Sequence, residues 1–317
     1  MNLLLSVIVC TYNRSDLLME ALQSLTCQTA PLTAFEVLVV NNGSTDATQQ
    51  IAEDFCERFE NFHVVIEPQQ GLSYARNRGF KEAKTPWVSY LDDDARARPD
   101  FAERIIHTVE NFSFDCVGGV YLPWYKYGKP LWFRDEYGTN GRLLDETGVL
   151  HKGEISGGVS AFKKSVLEQL GGFPTSLGMT GNKIAYGEET LLQVRMRKKG
   201  FVIGFDPGLL VDHIMPLQKM TVRWLLKSAY RHGLACWDAY EQRPLWRRVF
   251  KRFLELGSFT FKNIFIYTPR LARHDYYFQN WIIDMLKPLS LNWGMIVSGI
   301  KKLSGKNVQH TPGPECR

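Results

Sequence analysis

A chain of 317 residues, 44% of them hydrophobic, can bury a sizeable core and suits one large domain with an appendage, or two domains. Six scattered cysteines without a Cys-x-x-Cys pair signal neither a zinc site nor a disulfide framework, and fit reduced thiols in the cytoplasm. The net charge of +5 hides an asymmetry: from Met215 onward 17 Lys and Arg stand against 6 Asp and Glu, which leaves 21 against 27 before it.

In chain order, Leu3–Cys10 is a nearly continuous apolar run, as a strand covered on both faces needs. It lacks a basic leading region, and Thr11-Tyr-Asn-Arg14 follows at once, which argues against a signal peptide. Ser15 opens a helical pattern to Leu25, with Leu17, Leu18, Ala21, Leu22 and Leu25 on one face. Phe35–Val40 is a second buried strand, and a helix capped within residues 44–46 runs toward Phe59. Phe62–Ile66 is a third strand, Ser73–Ala83 a helix and Trp87–Leu91 a fourth strand. Pro99 starts a helix that reaches about Asn111, and Cys116–Leu122 is a fifth strand. Residues 123–153 are irregular and aromatic, and a loop of that length is functional or disordered. Ile155–Phe162 reads as a strand, Ser165–Leu170 as a short helix, and Glu188–Lys199 as a helix with Gly200 as its cap.

Beyond Gln218 the chain turns to helical segments rich in Trp, Arg and Lys. Such a basic rear points to a polyanionic partner, and cations spaced among aromatics suit an anionic membrane surface. A helical bundle packed on the rest of the chain is the plainer alternative. No nucleic-acid module is recognisable, so nucleic acid is not an expected partner. No run of 18 residues lacks a charge or a strongly polar interruption, so no membrane-spanning helix is expected. The expected placement is cytoplasmic, or peripheral on the cytosolic face of a membrane.

Strands recurring about every 25–30 residues, with helices between them, predict βαβ units and a mostly parallel sheet in an α/β fold. The expected division is 1–214 as the catalytic domain, 215–303 as a basic, aromatic-rich helical region and 304–317 as a flexible tail. Ligands on such sheets bind beyond the carboxyl ends of the strands. There lie four polar stretches: Thr11-Tyr-Asn-Arg14, Asn41-Asn-Gly-Ser44, Pro68-Gln-Gln-Gly71 and Asp92-Asp93-Asp94. Three adjacent carboxylates repel one another unless a cation relieves them. Held at a strand end, they suit Mn2+ or Mg2+ shared with phosphate oxygens.

Leu5-Ser-Val-Ile-Val-Cys-Thr-Tyr-Asn-Arg14, Val39-Val-Asn-Asn-Gly-Ser-Thr-Asp46, Gly71-Leu-Ser-Tyr-Ala-Arg-Asn-Arg-Gly79 and Tyr90-Leu-Asp-Asp-Asp94 stand in the order and spacing of the inverting family 2 glycosyltransferases. The chain resembles that family over about residues 3–213. The resemblance implies a GT-A fold, with a Rossmann-like, mostly parallel sheet flanked by helices and followed here by a C-terminal helical region. It implies sugar transfer from a nucleotide-diphosphate donor to a glycan or lipid-linked glycan. By position, Thr11 and Tyr12 line the nucleobase pocket, and Arg14 lies near the diphosphate. Asn42 stands where the family often has an Asp facing the base, and suits a uracil or thymine. Gly71 and Arg76 belong to the donor site, although a solvated helix face also explains Arg76. Asp92 meets ribose, sugar or metal, Asp93 joins the donor site without a firm role, and Asp94 is the main metal ligand. His213, after the last strand, resembles a residue that approaches the metal.

Gly187-Glu188-Glu189 resembles the family's Gly-Glu-Asp motif, with Glu in place of the final Asp. Glu189 is the candidate general base and Glu188 the fallback; the plain alternative is an acid pair favourable to a helix start. Trp124, Trp132, Gly157 and Gly158 fall in the acceptor region, where the tryptophans either stack on sugars or fill a core. Glycines on a strand pattern suggest a bulge or a close approach of substrate. Two competing readings remain, a sugar nucleotidyltransferase and a non-catalytic nucleotide-sugar binder. The first lacks its expected glycine-rich loop after the first strand, and an intact acid set argues against the second.

Overall fold

The computed structural model describes residues 3–139, 141–181 and 185–305. The chain divides into two compact units. The first runs to Trp124 and includes Gly138–Gly181 and Glu188–Ile214. Its elements are β1 (Leu5–Thr11), α1 (Ser15–Thr26), β2 (Phe35–Asn41), α2 (Thr48–Arg58), β3 (Phe62–Ile66), α3 (Leu72–Glu82), β4 (Trp87–Asp92), β5 (Ala95–Ala97), α4 (Phe101–Asn111), β6 (Cys116–Trp124), β7 (Gly148–Val149), β8 (Val159–Lys163), α5 (Lys164–Leu170), α6 (Glu188–Lys198) and β9 (Ile203–Ile214).

The strands form one sheet in the order β3-β2-β1-β4-β8-β6-β9-β5, with β7 also on β9. Strands β3, β2, β1 and β4 are parallel, while β8 runs antiparallel to both β4 and β6. Alternation along the strands splits the core between the two faces of the sheet. Val7, Val9, Val37 and Val39 pack with Leu18, Leu22 and Leu25 of α1 on one side. Ile8, Leu38, Val40 and Val88 pack with Ala75 and Phe80 of α3 on the other. Both faces are covered, so these strands are apolar throughout, as a parallel sheet requires. The register sets Thr11 beside Asn41 and Cys10 beside Asp92, which brings the ends of β1, β2 and β4 to one edge.

The structure departs from the sequence expectation at three places. The strand expected from Ile155 starts only at Val159, and Gly157 lies in a turn. Strand β5 is too short to leave a pattern. Strand β9 spans 12 residues through Pro207-Gly208, a turn signal in sequence. There β9 bulges against β6, and the register shifts between Gly118 and Val120. Asp206 holds the bulge: it accepts from Gly208 N (2.9 Å), Arg104 Nε (2.8 Å) and Thr108 Oγ1 (3.0 Å).

The second unit holds α7 (Val222–Ala239), α8 (Trp246–Tyr267) and α9 (Phe278–Leu303). It also takes Tyr125–Tyr137 and the short stretch ending at Gly187, both within 1–214. Burial explains part of this: Phe133 packs with Met215, Met220, Leu225 and Ile283. Helices α7 and α9 cross backbone to backbone, since a Cβ on Gly294 would strike the Tyr230 carbonyl and lie 3.0 Å from Gly233 Cα. Trp237 Nε1 donates to the Met295 carbonyl (2.8 Å) across the same pair. Among the described residues no helix is long and apolar enough to cross a membrane. The expected tail of 304–317 lies outside the described residues beyond Gly305.

Candidate active site

The loops after β1 and β2 clasp each other. Asn13, left-handed at φ 51°, accepts from Thr45 N on Oδ1 (2.7 Å), while its own N–H donates to Ser44 Oγ (3.0 Å). Arg14 N donates to Thr48 Oγ1 (3.2 Å) and Ser15 N to Asp46 (3.2 Å). Thr11 is buried at the end of β1, and Tyr12 is half-buried after it. Asn42 fixes the next loop, donating from Nδ2 to the carbonyls of Glu67 (2.9 Å) and Gln69 (2.8 Å). Its Oδ1 accepts from Gly71 N (2.7 Å), which leaves one carbonyl lone pair over. Gly71 enters α3 at φ +143°, where a Cβ would be strained.

The acid triplet begins with the last residue of β4. Asp92 accepts from Tyr121 Oη (2.6 Å) on β6, a partner without a sequence signal because Tyr121 lies in an apolar strand pattern. Asp94 accepts from Arg14 Nη1 (2.7 Å), which also lies 3.5 Å from Asp93. Antiparallel pairing of β5 with β9 sets Ala95 opposite His213 and draws His213 Nε2 to 3.2 Å from Asp94 Oδ1. The His213 ring stands edge-on to Tyr121. Burial, then the neighbouring carboxylate of Asp94, pushes Asp93 up to about 7 against the pull of Arg14.

Arg76 is buried and lies between the two acid groups. Its Nη1 is 3.1 Å from Glu188 Oε1 and its Nη2 3.8 Å from Asp92 Oδ1, with Phe173 and Tyr90 under the guanidinium. Burial alone would lower its pKa, but Glu188, Glu189 and Asp92 hold it above its ordinary value. Arg76 therefore does not lie on a solvated helix face. Glu188 is also buried, and burial followed by the Glu189 carboxylate drives it well above the carboxylate range, although Arg76 opposes this. Glu188 Oε2 and Glu189 Oε2 are buried without a hydrogen-bond partner among the described residues. An acid oxygen in that state calls for a proton or a ligand hydroxyl.

Gly157 and Gly158 make close approaches, but to side chains of the protein. A Cβ on Gly157 would lie 2.7 Å from Arg76 Nη2, and one on Gly158 would strike Tyr121 Oη and Asp92 Oδ2. The two glycines therefore leave room for the residues that carry the site. Trp124 stacks beneath Arg96, with Cζ 3.3 Å from the ring centroid. Trp132 belongs to the second unit, beside Phe133 and Tyr137.

A divalent cation fits this donor set in a limited way. Asp94 and His213 offer one carboxylate and one imidazole on the same point, and hard cations complete such sites with phosphate oxygens and water. Among the described residues no three acids or imidazoles form a cage by themselves.

The layered sheet with acids at its carboxyl edge is a GT-A fold. The mannosyltransferase PcManGT from Pyrobaculum calidifontis, solved in complex with GDP-Man and Mn2+, matches 97% of this chain and 89% of its own at a TM-score of 0.61 and 18% identity. A family model described as "Glycosyl transferase family 2" matches residues 6–171, so the chain belongs to that family and is a glycosyltransferase. Glycosyltransferase AglE of Haloferax volcanii is 33% identical over 174 residues, 54% of this chain and 56% of AglE, so the chain spans about half of that relative's length. The glucosyl-dolichyl phosphate glucuronosyltransferase of the same organism is 27% identical over 252 residues, 76% of each chain.

Proposed function

We propose that the chain is an inverting glycosyltransferase that moves a sugar from a UDP- or dTDP-sugar to a growing or lipid-linked glycan at the cytosolic face of a membrane. One observation carries the reading: the Arg76 guanidinium ties Asp92, at the end of β4, to Glu188, at the start of α6. One buried guanidinium thus bridges the two acidic sites. The spare lone pair of Asn42 Oδ1 suits a pyrimidine N3–H. The relative named for a glucosyl-dolichyl phosphate supports a lipid-linked acceptor.

Thr11, Tyr12 and the Asn42–Gly71 loop receive the base, and Asp92, pinned by Tyr121, receives ribose or sugar hydroxyls. Arg14 turns toward the diphosphate, for which its bond to Asp94 holds it ready. Asp94 and His213 would hold Mn2+ or Mg2+, as the Mn2+ complex of PcManGT supports. When bound, the cation neutralises charge on the departing diphosphate. Glu189 takes the proton from the acceptor hydroxyl as that oxygen bonds to the anomeric carbon and the carbon–phosphate oxygen bond breaks on the opposite face. Glu188, the more deeply paired of the two, holds Arg76.

The test is turnover of a panel of nucleotide-sugars with Mn2+. Parent enzyme is expected to release UDP or dTDP, and Glu189→Gln to lower kcat by about 10²–10⁴-fold while UDP binding by calorimetry stays within about twofold. Full activity in Glu189→Gln would remove the base assignment. Pyrophosphate release from a nucleoside triphosphate and a sugar phosphate would replace the whole reading with nucleotidyl transfer.

A further inference from the structure

Helix α8 has more apolar surface than its packing uses. Val249 packs inward with Trp237, Met295 and Ile296. A second stripe faces solvent: Trp246, Phe250, Phe253, Phe261, Ile264 and Phe265, with Phe250, Phe261 and Phe265 each more than 60% exposed. They form two groups, 246–253 and 261–265, which the helical period brings to one side of the helix. Isolated exposed apolar residues need no explanation, but two largely aromatic groups on one side of a helix mark an interaction surface.

The charge beside the stripe identifies its occupant. Residues 246–267 hold Arg247, Arg248, Lys251, Arg252 and Lys262 against one acid, Glu255. That acid is engaged by Arg252 (3.3 Å) and Lys251 (3.9 Å). At helical periodicity Arg247, Lys251 and Lys262 flank one edge of the stripe. Beside it, Leu256, Gly257, Leu289 and Trp293 line an open groove of about 470 Å³. A Cβ built on Gly257 meets no atom within 4 Å, so the surface there is open among the described residues.

We infer that α8 lies in the plane of an anionic lipid bilayer, with its aromatic stripe among the acyl chains and its cations on the headgroups. Such helices bind through buried apolar area plus attraction to anionic lipid. A second copy of the chain would set this basic helix against its own like charges. Nucleic acid would leave the aromatic centre of the patch in water. The inference rests on the membrane placement of the proposed reaction, though not on its chemistry.

Flotation of the full chain with vesicles of phosphatidylcholine alone, or of phosphatidylcholine and phosphatidylglycerol at about 3:1, tests it. Parent protein is expected to float with the anionic vesicles at least tenfold more than with the neutral ones, and less as salt rises. A variant carrying Trp246→Ser, Phe250→Ser, Phe261→Ser and Phe265→Ser is expected to lose at least tenfold in flotation, while donor hydrolysis in solution stays within about twofold. The substituted positions are exposed, so that second readout also reports intact folding. Parent protein that does not float, floats equally with neutral vesicles, or floats undiminished after the four substitutions overturns the inference. So does a dimer at micromolar concentration that the substitutions abolish, without vesicle binding. Flotation without turnover of any donor would instead strike the catalytic reading and leave this one standing.

Discussion

Arg76 has three acidic side chains acting on it and little room to move, because Gly157 lies directly against its guanidinium. A methyl group at position 157 would sit 2.7 Å from Nη2 and 3.0 Å from Cζ, which is closer than side chains pack. Overpacking of this kind costs about 1–3 kcal/mol. The larger effect of Gly157→Ala is expected on activity, since displacing Arg76 separates Asp92 from Glu188. At least a tenfold fall in kcat/KM, with a loss in urea stability of about that size, is the expected outcome. An unchanged kcat/KM would mean that Arg76 does not set the geometry of the reaction.

Glu188 gives a pH signature at the same scale. Its folded-state pKa lies well above the ordinary value of 4.5, because burial and then Glu189 disfavour its charge. The folded protein therefore binds a proton that the unfolded chain has already released. Its stabilising contribution is complete below 4.5 and is lost as pH rises toward and through the folded value. Glu188→Gln, neutral at every pH, is expected to flatten the fall in stability above pH about 5, followed by urea unfolding at a series of pH values. A parallel pair of curves would show that Glu188 ionises freely in the folded state.

At the scale of elements, legibility followed the reach of the forces involved. Strands β1 to β4 and helices α1 to α4 could be read because each buries a continuous apolar run or stripe, and that pattern is local. Strand β9 could be read only at its end, since Pro207-Gly208 signals a turn unless Asp206, held by Arg104 and Thr108 from α4, supports a bulge there. Those partners lie about a hundred residues away in sequence. The candidate site divides in the same way. The loops and the acid triplet were visible as polar breaks after apolar strands, whereas Tyr121 and the service of Gly157 and Gly158 to Arg76 and Asp92 depend on how β8 pairs between β4 and β6. The crossing of α7 and α9 was equally hidden, because the two glycines that meet there, Gly233 and Gly294, leave no periodic signal. Gly294→Ala would drive a methyl into the Tyr230 carbonyl. It is expected to cost about 3 kcal/mol, the upper part of the range for overpacked sites, read as a lower urea midpoint at unchanged slope. A midpoint within experimental scatter of the parent would mean that the helices separate readily.

At the scale of the whole molecule, the carboxylates gathered at the sheet edge repel one another, a load that a bound donor and cation would relieve. Asp93 is evidence of that load, being pushed up to about 7 by burial first and then by Asp94, with Asp92 adding to it. Ligand binding is therefore expected to stabilise the fold cooperatively. Any ligand that binds only the folded state adds about 2.7 kcal/mol at a hundred times its Kd. UDP and Mn2+ together are expected to raise Tm by more than the sum of their separate effects, since each supplies the other's missing ligands or charges at Asp94. On the proposed reading UDP or dTDP is expected to exceed GDP, because Asn42 Oδ1 offers a pyrimidine N3–H an acceptor. Asp94→Asn should remove the cooperativity but keep the smaller response to nucleotide alone, whose proposed base contacts are Thr11, Tyr12 and Asn42. An Mn2+ response that survives Asp94→Asn would move the metal to other donors, and a larger shift with GDP would reverse the base assignment without touching the family or the fold.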